Sequence, residues 1–195
     1  MAIKTFSSGE VLTSSDTNTY LNNGGLVYIT QTVITAGSST AVSFNNCFSA
    51  TYDNYRILID GFQPSVAGTA CLIRMRVGGV DASGAADYFF AETGLYVNGA
   101  SAASNGNGLS YGDTGLYNSA NTLSLGSASL DIFNPFKAER TFYTGNSILY
   151  NTNFGVRSVG GVHNVLTSYD GFSLINTTAS NFTKIRVRIY GYRNA

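Results

Sequence analysis

The chain has 195 residues, with eleven basic side chains, eleven acidic ones, a single histidine and a formal net charge of zero. Only 11% of its residues are charged, against roughly 25% in an average soluble protein. Ser, Thr and Asn, with 22 Gly, 13 Tyr and 12 Phe, fill the deficit. Zero net charge without a basic block excludes an electrostatic nucleic-acid binder, and no run of 18 apolar residues exists to span a membrane as a helix. A surface so poor in charge fits a protein that buries much of itself in an assembly or faces outward on a particle; the plain alternative is a low-charge protein with no such role.

The first 23 residues differ from the rest. A short extended run leads to one small helix over Ser14–Asn22, where Thr13 and Asp16 have capping-box spacing. Asn22-Asn23-Gly24-Gly25 supplies residues that tolerate the left-handed turn ending a helix. A two-turn helix is unstable alone in water, so residues 1–25 read as an attachment segment. Glu10 and Asp16 interrupt the region where a signal peptide would need its apolar run.

From Leu26 onward the pattern is strand, turn, strand. Val27, Ile29 and Val33 open the body, followed by Ala41-Val42-Ser43-Phe44. Tyr55, Ile57 and Ile59 alternate on one side of a strand that Gly61–Ser65 ends. Cys71, Ile73, Met75 and Val77 share a face opposite Arg74 and Arg76, the alternation of an antiparallel sheet with one wet side. The stretch 94–121, rich in Gly, Ser, Asn and Ala, reads as long loops with at most one short strand. Its Tyr96, Tyr111, Tyr117 and Asn118 are the candidate partner or ligand contacts, because tyrosine suits both sugar stacking and protein interfaces. Gly126 breaks the period-two phase of the next strand and marks a bulge. The remaining strands end with Ile185, Val187 and Ile189 facing opposite Arg186, Arg188 and Tyr190. Ile57, Ile59, Ile73, Met75, Val187 and Ile189 are expected in the core. Many short strands with Gly/Asn turns and no helical period between them give an all-β fold: an antiparallel, jelly-roll-like sandwich over 26–195, preceded by a short helix.

No constellation for catalysis emerges. His163 stands alone, without cysteines at ligand spacing and without a nucleophile elbow for a triad; the one metal arrangement it allows is a ring of three copies on a trimer axis. The acidic residues lie singly, mostly at turns, where aspartate bonds its own backbone, so paired carboxylates for glycoside cleavage are not legible. No cofactor or metal is expected. Cys47 and Cys71 are read as free buried thiols, with a disulfide as the alternative.

The N-terminal run Lys4-Thr5-Phe6-Ser7-Ser8-Gly9-Glu10-Val11-Leu12-Thr13, followed by Asp16, Asn18, Tyr20, Leu21 and Asn23, resembles the opening of tailed-bacteriophage virion proteins of the minor tail, tail-fibre or head-decoration type. A looser likeness continues through Ala50–Ile59 and Thr183–Gly191, segments that bracket a β-rich domain in such proteins. The resemblance implies a virion structural protein assembled in the host bacterial cytoplasm, commonly a homotrimer, attached to other virion proteins through Phe6, Val11, Leu12, Asp16, Asn18, Tyr20 and Leu21. It carries no catalytic residues. The expected function is therefore binding without turnover, on head or tail. The rivals are a lectin-like tip contacting host surface glycan and, less favoured, a small glycan hydrolase.

Overall fold

The computed structural model describes residues 7–11, 13, 25–118, 125–150, 153–177 and 180–194. The helix expected over Ser14–Asn22 lies outside them. The described residues form thirteen strands and no helix: β1 (Leu26–Ile34), β2 (Ala41–Phe44), β3 (Asn54–Pro64), β4 (Thr69–Val77), β5 (Val80–Asp81), β6 (Tyr88–Tyr96), β7 (Ser101–Leu109), β8 (Gly112–Asn118), β9 (Gly126–Phe133), β10 (Thr141–Tyr150), β11 (Phe154–His163), β12 (Gly171–Asn176) and β13 (Phe182–Tyr192).

Every pairing is antiparallel. One sheet has eight strands in the order β1-β13-β3-β9-β10-β11-β6-β7; the other runs β2-β12-β4-β5, with β8 also pairing β4. The inner faces of both sheets meet in one core. Ile57 and Ile59 of β3, Leu130 and Ile132 of β9, and Val187 and Ile189 of β13 face Ile73 and Met75 of β4 and Phe172 and Leu174 of β12, all fully buried. The six expected core residues are among them. Period-two alternation puts Arg74, Arg76, Arg186 and Arg188 on the wetter faces. There Arg76 pairs with Asp81, and Arg188 pairs with Asp60. Cys47 and Cys71 are free and buried, and burial pushes the Cys47 thiol up to about 12.

Three sequence expectations change. Over its described residues, 94–118, the 94–121 stretch is not a set of long loops, for it holds the end of β6, all of β7 and all of β8. Its alternation is invisible because β7 is an edge strand of Ser, Ala, Asn and Gly with little to bury. One glycine there is required by packing, since a Cβ at Gly106 would collide with the Phe90 ring. Second, β3 does not end at Gly61 but runs on to Pro64. Third, the bulge near Gly126 lies on the partner strand. Ile59 pairs with Ala128 and Phe62 with Gly126, so the extra residue is in β3, at Asp60-Gly61, where Gly61 has a φ of 63°.

Candidate functional site

At the β6–β11 end of the sandwich the inward-facing positions stop being apolar. Along β6 the inward series runs Tyr88, Phe90, Glu92, Gly94, Tyr96. Glu92 sits opposite Val159, and Gly94 sits opposite Arg157 of β11. Gly94 makes room for the arginine: a Cβ there would lie 2.6 Å from Arg157 Cγ. The guanidinium donates from Nη1 to Glu92 Oε1 at 2.6 Å and from Nη2 to Tyr96 Oη at 2.7 Å. It lies 5.8 Å from the centroid of the Tyr96 ring and 5.6 Å from that of Tyr117 on β8, close enough for cation–π attraction.

Asp113, at the start of β8, completes the cluster and accepts the Gly115 amide at 2.8 Å. Burial raises the Glu92 carboxyl above its ordinary value, and the nearby Asp113 charge adds to this while Arg157 opposes it. Burial likewise raises Asp113, against the Gly115 amide and Arg157. Tyr143 of β10 stands behind them, its phenol raised by burial and by Asp113. Three buried polar atoms of this cluster have no hydrogen-bond partner among the described residues: Glu92 Oε2, Arg157 Nε and Tyr143 Oη. The cluster opens into a cleft of about 400 Å³ lined by Glu92, Asp113, Tyr117 and Arg157, with Ser101 and Ser104 of β7 on its rim.

The structure therefore brings two of the expected contact residues, Tyr96 and Tyr117, onto one guanidinium. Tyr111 is half-buried and packs against the core. Asn118 is fully buried and donates from Nδ2 to the Phe62 carbonyl at 2.6 Å, a structural use that removes it from any exposed contact surface. Glu92 and Arg157, which sequence reasoning passed over, lie 65 residues apart and meet only because β6 and β11 are neighbours. Of the residues expected to attach the chain, Val11 is described and 80% exposed, beside a turn closed by Glu10 N donating to Ser7 O at 3.1 Å. Phe6, Leu12, Asp16, Asn18, Tyr20 and Leu21 lie outside the described residues.

His163 is wholly buried between the rings of Tyr88 and Tyr169, at 4.3 and 4.9 Å between centroids. Neither ring nitrogen has a hydrogen-bond partner among the described residues, and Asp87 Oδ2 is 3.9 Å from Nε2. Burial lowers its pKa against the pull of Asp87. So placed, it does not present a nitrogen to a symmetry axis, which removes the three-histidine ring. Among the described residues no group of three or more His, Cys, Asp or Glu side chains is placed to hold a metal ion.

A second surface lies outside the sandwich. On the outer face of β10, β11 and β6, Ile148 pairs with Val156 and Val156 with Leu95, a straight row of aliphatics 53, 45 and 56% exposed. Tyr150 and Phe154 extend it as a further exposed pair. No charged side chain falls on the outward positions of these three strands.

Comparison with known proteins finds no matching family model, no similar curated protein and no similar solved structure.

Proposed function

We propose that the protein is a structural component on the surface of a tailed-phage virion, a short fibre, knob or decoration protein that works by binding and turns nothing over. Residues 1–25 attach it to other virion proteins, and the β domain beyond them is a jelly-roll-like sandwich. Strand order supports the jelly-roll reading. The strands β1-β13-β3-β9 and β2-β12-β4-β8 lie side by side in their two sheets, the interleaving that an eight-stranded double Greek key produces. The hairpins β6–β7 and β10–β11 then widen the first sheet. One observation carries the assembly role: the uncharged outer row of Ile148, Val156 and Leu95, a surface of the kind that marks interaction sites. Self-association into a closed homotrimer fits this face and the zero net charge.

Deleting residues 1–23 tests the reading. The truncated chain stays folded and soluble but no longer enters particles assembled in the host cytoplasm. Its appearance on purified virions at normal stoichiometry would defeat the attachment role. A second reading, a lectin-like tip contacting host glycan, is favoured by the polar cleft between β7 and β8.

A further inference from the structure

We infer that the cleft beside Glu92 and Arg157 takes an uncharged saccharide unit and turns acidic sugars away, with Glu92 accepting a ligand hydroxyl. The inference rests on the glycan reading above and adds the chemistry of the ligand.

The hydrogen-bond inventory of the cleft is incomplete in a particular way. Glu92 is only 7% exposed, and its Oε1 is held by Arg157 while Oε2 has no partner. Arg157 commits one N–H of each Nη, to Glu92 and to Tyr96, and its Nε has no partner among the described residues. A carboxylate or phosphate is recognised by a guanidinium through two parallel N–H groups, and here Glu92 and Tyr96 already stand against its two Nη atoms. What the cleft lacks is one donor for Glu92 and one acceptor for Arg157. A hydroxyl group is both donor and acceptor, and a saccharide offers several on adjacent carbons. Ser101 and Ser104 add rim hydroxyls of the same dual character, and about 400 Å³ falls within the range of small-molecule pockets.

Charge sets the selectivity. Two carboxyl groups, Glu92 and Asp113, face one guanidinium in the cleft. Glu92 is buried away from water, so a third carboxylate brought by a uronic acid meets like charge where screening is poor. Rejection of an ionised analogue by unpaired like charge is a common route to specificity.

Calorimetric titration of the full-length protein tests this. The probes are the methyl glycosides of glucose, galactose, mannose and N-acetylglucosamine, set against glucuronic and galacturonic acids near neutral pH. At least one uncharged glycoside is expected to bind saturably, about tenfold or more tighter than either acid. Glu92→Gln weakens that binding and narrows the gap to the acids. Ser104→Phe, on the exposed rim directly across from Glu92, fills the cleft while leaving both members of the ion pair in the chain, and so serves if Glu92→Gln does not fold. Absence of binding by every glycoside overturns the glycan reading and this inference together. Uronic acids binding as tightly as the uncharged sugars overturn the selectivity alone. Binding unaffected by Ser104→Phe places the ligand elsewhere and overturns the assignment of the cleft.

Discussion

Beneath β3, β9 and β13 the space between the sheets holds Ile57, Leu130 and Ile189, all fully buried, whereas beneath β6, β11 and β10 the same space holds Glu92, Arg157 and Tyr143. The first region is held together by apolar area removed from water, at roughly 25 cal/mol per Å². The second has taken charged groups out of water, a cost that their mutual attraction repays only when geometry is good and the remaining polar atoms are satisfied. Three of those atoms are not. This region gives up packing stability while leaving hydrogen-bonding capacity unfilled, and this is why the inference about a ligand rests on the cleft and not on the core.

Substitutions can break or sharpen this contrast. The largest effect is expected from Arg157→Met, which strands the buried Glu92 carboxylate and should cost about 3–5 kcal/mol in urea unfolding at neutral pH. A loss near zero would mean that Glu92 is neutral in the folded protein and the two regions differ less than described. In the apolar region, Ile57→Ala should cost about 2–5 kcal/mol by the same measurement, through lost burial and a residual cavity. Unlike the Arg157 change, it should leave ligand titrations unaltered.

The smallest effect belongs to His163, a polar residue in an apolar setting. Its folded pKa lies below the ordinary 6.5 because of burial, so the unfolded chain holds more of the proton. Stability is then fully present above about pH 6.5 and is lost as pH falls toward the folded pKa. His163→Phe, which keeps a ring between Tyr88 and Tyr169, should flatten the melting temperature between about pH 7 and pH 5. An unchanged acid slope would assign the loss to other groups.

The apolar region was legible from the sequence, and the reason is local. Ile57/Ile59, Ile73/Met75 and Val187/Ile189 each announce their strand through strict alternation, and all six lie in the core. The polar region was not. Edge strand β7 buries so little that its composition reads as loop, and Gly106, which sits there for the sake of the Phe90 ring, looks like a turn glycine. The carboxylates appeared scattered because Glu92 and Asp113 share a site only through the pairing of β6 with β11 and the placing of β8 across them. Alternation reveals which face of a strand is inside; it carries no information on which distant strand will lie beside it. Asn118 failed for the related reason that a buried amide serving the Phe62 carbonyl has the same sequence context as an exposed one.

The placing of β13 between β1 and β3 has a consequence for how the molecule is made. Both neighbours of that strand leave the ribosome long before it does, and neither can pair on that side until residues 182–192 follow. Through most of synthesis the nascent chain therefore carries two open strand edges facing an empty slot, and open edges recruit other chains. Closure of the large sheet joins segments more than 150 residues apart, from Leu26 to Tyr192, a late and slow event for a chain whose contacts are mostly non-local. Yield during expression should thus depend on how quickly the C-terminal strand is delivered, well before the stability of the finished fold matters.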